Sequence, residues 1–209
     1  MSLEAFNHAR DAIARRGFDA DTQTRISLFA GAAKSVNATF LGTLELAPGK
    51  SVAQEYIHAQ YFREVELASL LARATTWSMN PVVYAEAQAL AAPLWAALWP
   101  IQLPPGPLGD EGARVRGLAL GHALLARVRL SPIIPAGADE ASPFVAALRR
   151  LDQENGRQIQ TQIRLLQDVP VGIEPAQCEA MVQQAQTLVD AAFGRLLQVL
   201  AVTAPPSRP

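Results

Sequence analysis

The sequence predicts an all-α protein, a bundle of four long helices at about 21–46, 51–79, 142–168 and 174–203, with shorter helices at the N-terminus and in the middle. Three observations carry this. Apolar residues recur every three or four positions over long stretches, the spacing of one helical face. Alanine, the best helix former, is abundant, while the chain holds only 3 Tyr, 3 Trp and 7 Phe. Proline and glycine gather between the periodic stretches rather than inside them.

Taken in order, a short helix runs from about Leu3 to Arg16 and stops at Gly17, a residue suited to a C-terminal cap. The second helix starts near Asp21 or Thr22, with Ile26, Phe29, Ala33, Val36, Phe40 and Leu44 on one face. Pro48-Gly49 ends it, and Ser51 with Gln54 makes a capping box for the third. That third helix is apolar around much of its circumference, from Val52 and Tyr56 to Leu71 and Trp77, and is expected to be the central one.

Asn80-Pro81 restarts a helix in N-cap and N1 order, and Pro93 is expected to kink or end it. A helix from Asp110 to about Leu130 follows a proline-rich loop. Leu130 to Ile134 and Val169 to Val171 could form short strands, although their prolines argue against a central position. Ser142-Pro143 opens the next long helix. Its line Phe144, Leu148, Leu151 continues into Asn155, Gln158 and Gln162, which are expected to face water as the buried side rotates. The last helix carries the cleanest stripe: Cys178, Val182, Ala185, Val189, Ala192, Leu196 and Val199. Residues 1–203 read as a single domain, and 204–209, with three prolines, as a disordered tail.

With 18 basic against 19 acidic residues, the composition lacks the basic excess that nucleic acid demands. Only Lys34 and Lys50 are lysine, the usage of a GC-rich bacterial genome. The lone Cys178 permits no internal disulfide and belongs to an apolar stripe, so a buried structural thiol is expected. The N-terminal residues do not resemble a secretory signal, and a cytoplasmic location is expected.

The chemistry-bearing patterns are thin. Ala47-Pro48-Gly49-Lys50-Ser51 imitates the end of a phosphate-binding loop, but Leu44 stands where the first glycine is required and the flanks are helical. Glu55 and His58 sit three apart on one helical face, as in half of a di-metal site, and no second pair exists. Glu55, His58 and His122 are the alternative metal or small-molecule ligands; the face of Glu55 also carries Glu66 and Arg73 and reads as solvated, whereas His122 sits in an uncharged run and reads as a core or groove histidine. Gly117 and Gly121 suit close helix packing. No cofactor and no catalytic residue are expected.

The strongest functional signal is a stretch free of charge and rich in tryptophan. Residues 87–109 contain no charge, and five prolines with two glutamines make a membrane span improbable. Trp95 and Trp99 lie four apart, beside Leu94 and Leu98 and followed by Ile101. Tryptophan offers a large apolar body with one polar N–H, which suits a docking surface. The expectation is a non-enzymatic bundle that binds a protein partner or itself through Leu94, Trp95, Leu98, Trp99 and Ile101, with peripheral contact to an apolar surface also open.

Overall fold

The computed structural model describes residues 3–45, 52–96, 124–168 and 175–202, and its architecture is all-α. In chain order the helices are α1 (Leu3–Arg16), α2 (Ala20–Glu45), α3 (Val52–Ala74), α4 (Pro81–Ala96), α5 (Pro143–Asp168) and α6 (Pro175–Val202). No strand occurs among the described residues. Leu130 to Ile134, considered above as a strand, instead forms a 3-10 turn at Ser131–Ile133 with Pro132 in its first turn. The segments 97–123, 169–174 and 203–209 lie outside the described residues, as do the side chains of Phe40, Leu44, Cys178 and Val182.

The helix ends follow from local chemistry. Gly17 adopts φ +76° and its N–H reaches the Ile13 carbonyl at 2.7 Å, closing α1 in a left-handed conformation that glycine accepts without strain. Asp19 caps α2 by accepting from the Thr22 N–H at 2.7 Å, two residues earlier than the expected start. Asn80 accepts from the Val82 N–H at 3.0 Å with Pro81 in the first turn of α4. Pro93 is accommodated inside α4, which continues to Ala96.

Two expectations about α3 are corrected. The helix ends at Ala74 rather than about Met79, because side chains of α2 take over the backbone that would continue it. The Thr76 N–H donates to Gln23 Oε1 at 2.7 Å and the Ser78 N–H to Thr24 Oγ1 at 2.8 Å. Nor is α3 the central helix. That place belongs to α2, which packs against α3, α4 and α6, while Phe62 and Val65 of α3 are exposed. Apolar residues scattered around α3 do not all have neighbours, whereas Ile26, Phe29, Ala33 and Val36 of α2 do.

The core gathers buried residues of α1, α2, α4, α5 and α6. Phe29 stacks on Phe193 with ring centroids 5.7 Å apart, and Phe6 meets Phe193 edge-on at 5.6 Å. Ile26, Ala33 and Val36 of the expected α2 stripe are buried there, as are Ala185, Val189, Ala192 and Leu196 of α6, with Val199 packed at the edge. The stretch 183–202 of α6 is the one helix among the described residues long and apolar enough to cross a membrane. Its Val189, Phe193, Leu196 and Leu200 are packed in this core.

Arg16 joins the two ends of the chain. Its guanidinium donates to the Leu200 carbonyl at 2.7 Å and to Thr22 Oγ1 at 3.0 Å, placing a positive group at the C-terminal end of α6. Asp152 does comparable work for the turn before α5, accepting from the N–H groups of Leu130 at 3.0 Å and Ser131 at 2.8 Å. Replacing Asp152 by Ala strands both donors, and a loss of about 2–3 kcal/mol in a urea unfolding curve is expected.

Candidate partner-binding groove

α2 lies between α3 and α4, and its outward face forms the floor of an open groove of about 580 Å³. The floor is made of small side chains: Gly31 and Ala32 from α2, Ala68 and Ala72 from α3, Ala91 and Ala92 from α4. Ser27, Ser35, Ser69 and Gln88 supply the polar groups, and no charged residue is among the described residues that line the groove.

Two tryptophans flank this floor. Trp77, in the connection before α4, is 37 % exposed and stacks on Tyr84 with centroids 6.2 Å apart and planes 19° from parallel. Trp95, near the end of α4, is 44 % exposed. Tyr84 and Trp95 are 11 residues apart on α4, which at 1.5 Å per residue separates them by roughly 16 Å, or three helical turns. The groove is thus a trough about three turns long, floored by alanine and glycine and flanked by large aromatic faces.

The emptiness above Gly31 is directly visible, since a Cβ built there meets nothing within 4 Å. Gly31 is therefore not required for packing within the chain. Gly31→Ala should stabilise α2 by about 0.5–1 kcal/mol, read as a raised Tm. If Gly31→Ala is instead destabilising, the open space is occupied in solution by part of the chain itself.

The structure sorts the expected binding residues. Trp95 lies on the groove. Leu94, expected to bind a partner, is corrected to a core residue: one position along a helix turns the side chain by about 100°, and Leu94 points fully inward. Leu98, Trp99 and Ile101 lie outside the described residues. Trp77 and the small-residue floor were missed in the sequence. By sequence Trp77 reads as part of α3, and alanine carries no signal of exposure.

The alternative metal ligands gain nothing from the fold. His58 is exposed on α3 with its ring edge against Phe62, centroids 4.9 Å apart. His122 and the side chain of Glu55 lie outside the described residues. Among the described residues, no group of three or more His, Cys, Asp and Glu side chains is placed to hold a metal ion.

A second feature is buried and ionic. Lys34 of α2 and Glu64 of α3 are 3 % and 0 % exposed, with Nζ at 3.3 and 3.0 Å from the two carboxylate oxygens. Lys34 also donates to Asn155 Oδ1 of α5, and Asn155 Nδ2 donates to the Val128 carbonyl at 3.3 Å. Burial pushes the Lys34 ammonium below its ordinary pKa, opposed by the Glu64 carboxylate and, more weakly, by Asp152 and Glu154. Asn155 and Gln158, expected to face water, are both buried in this seam. On the outer edge of the seam Arg63 bridges Glu154 at 3.0 Å and Glu66 at 2.9 Å, and these contacts raise its pKa.

Compared with protein-family models, with curated proteins and with solved structures, the chain matches none.

Proposed function

We propose that this protein is a non-enzymatic binding module whose groove between α2, α3 and α4 receives an apolar helix of a protein partner. The observation that carries the reading is the uncharged floor of Gly31, Ala32, Ala68, Ala72, Ala91 and Ala92 set between two exposed tryptophans.

The shape favours a helix over a small molecule. Enclosing sites bury most of a small ligand's surface, whereas this groove is open along its length. A helix laid in a trough buries one face and leaves the other in water, and small residues beneath it permit close backbone approach. The partner face is expected to be apolar and uncharged, because a charge against this floor would lose water and gain no counter-ion. Tryptophan is enriched among the few residues that carry most of the free energy of such a contact.

A block in the floor tests this without disturbing the core. Gly31→Leu places a branched side chain in the open space that Gly31→Ala leaves largely free. With both variants expressed in the protein's own cells, the polypeptide that accompanies wild type should persist with Gly31→Ala and be lost with Gly31→Leu. Equal recovery of that polypeptide with Gly31→Leu would remove the groove from the contact.

A further inference from the structure

α3 and α5 run antiparallel, since Arg63 meets Glu154 at 3.0 Å and Glu66 meets Arg150 at 3.5 Å. Beyond the second contact the two helices leave an open depression of about 350 Å³. Its apolar lining is Leu70 and Ala74 of α3 with Pro143, Ala146 and Ala147 of α5. The other described residues that line it are two arginines, Arg73 and Arg150, and none of them is acidic.

The antiparallel register places the two arginines at opposite ends of the depression. Arg150 lies level with Glu66, and Arg73 stands seven residues further along α3, roughly 10 Å at 1.5 Å per residue. Both side chains are exposed and have donors to spare. Arg73 has no carboxylate partner among the described residues. Arg150 reaches Glu66 at 3.5 Å with both side chains half in water, a screened contact of little worth. Glu66 is in any case held by Arg63 at 2.9 Å. A guanidinium offers five N–H groups, so Arg150 can bind a second carboxylate without giving up Glu66.

We propose that this depression docks an acidic amphipathic helix of a protein partner, one with two carboxylates about two turns apart and apolar residues between them. Charge and lining act together here. A simple inorganic anion would engage the arginines and leave the apolar lining in water, and a purely apolar ligand would strip water from two guanidiniums without replacing it. A helix carrying both kinds of group satisfies both, because residues seven apart fall on nearly the same helical face at the spacing that separates Arg73 from Arg150. Arginine also matches a carboxylate through paired N–H bonds. A small amphipathic carboxylate would suit an enclosing pocket, whereas this depression is open to solvent. The site opens between α3 and α5, is separate from the Gly31 groove and stands without it.

Fluorescence anisotropy of the full chain with two labelled alanine-rich peptides tests the proposal. One peptide carries two glutamates seven positions apart with two leucines between them, and in the other both glutamates are lysines. The glutamate peptide is expected to bind along a saturating curve, and the lysine peptide roughly tenfold more weakly or less. Arg73→Gln and Arg150→Gln should each weaken the glutamate peptide by roughly threefold to tenfold. Arg73→Glu combined with Arg150→Glu should reverse the preference, with circular dichroism as the control for folding. Equal binding of the two peptides, no saturable binding, or an unchanged preference in the charge-reversed variant overturns the site. If that variant does not fold, the two single variants decide, and undiminished binding in both overturns it. Saturable binding of octanoate with none of the glutamate peptide also overturns the helix, in favour of a small carboxylate.

Discussion

Lys34→Met is expected to destabilise the protein by about 3–5 kcal/mol, enough to threaten folding in a molecule of ordinary stability. The loss arises less from the missing ion pair than from what remains. Glu64 is fully buried, and without the Lys34 ammonium its charge has no counter-ion within the seam. The partner deletion, Glu64→Leu, leaves the Lys34 ammonium buried without its carboxylate and is expected to cost a comparable amount. Replacing both residues, as Lys34→Met with Glu64→Leu, should recover most of the loss, since an apolar pair of similar volume commonly matches a buried ion pair. Urea unfolding of the three variants measures the cycle, and a double variant no better than Lys34→Met would show that the pair contributes more than mutual neutralisation.

The same shift sets a pH dependence. A base with a depressed folded-state pKa is protonated more readily in the unfolded chain. Stability should therefore rise with pH as the solution passes from the folded value up towards 10.5, the ordinary value for lysine. The slope should vanish in Lys34→Met and be steepest in Glu64→Leu, where no carboxylate opposes the shift.

The second large effect concerns the groove. Trp77→Ser combined with Trp95→Ser should weaken the partner complex by about 2 kcal/mol or more for each residue, roughly a thousandfold together if the two act independently. The fold itself should lose roughly 1 kcal/mol for each, because both rings are already partly in water and only their packed portion is removed. Trp77 leans on Tyr84, so its removal also frees the Tyr84 ring. Titration calorimetry against the identified partner, with circular dichroism as the control for folding, separates the two consequences.

What could be read beforehand was largely punctuation. Gly17, Asn80-Pro81 and Ser142-Pro143 act locally, through a left-handed φ or a cap, so their effect needs no knowledge of neighbours. The stripe Ile26, Phe29, Ala33, Val36 was equally clear, because periodicity survives whatever packs against it. Long-range hydrogen bonding was not legible: Gln23 and Thr24 lie more than fifty residues from the backbone N–H groups whose helix they interrupt.

The buried seam left one trace that was open to reading. Lys34 is the only charged residue between Arg25 and Glu45, in a helix apolar enough to be central. A lone lysine in such a setting must find a carboxylate, and Glu64 is that partner. Asn155 and Gln158 were misplaced for a related reason. Polar residues on a continuing apolar line face water only if no polar layer awaits them on the neighbouring helices, and here one does. The groove was half legible. Trp95 stood out by size and by its uncharged surroundings, but the floor beneath it is alanine and glycine, whose exposure depends wholly on how three helices diverge.

Site-specific photocrosslinking tests the groove most directly. A photoreactive aromatic residue is placed in turn at Gln88 and Trp95, both exposed on the lining and already large, and at Gln198, exposed on α6 and outside the lining. After irradiation in the protein's own cells, Gln88 and Trp95 should join the same polypeptide through an uncharged helical segment, with Gln198 giving none of it. No adduct from the trough positions, or the same adduct at equal yield from Gln198, would contradict the groove as the partner site.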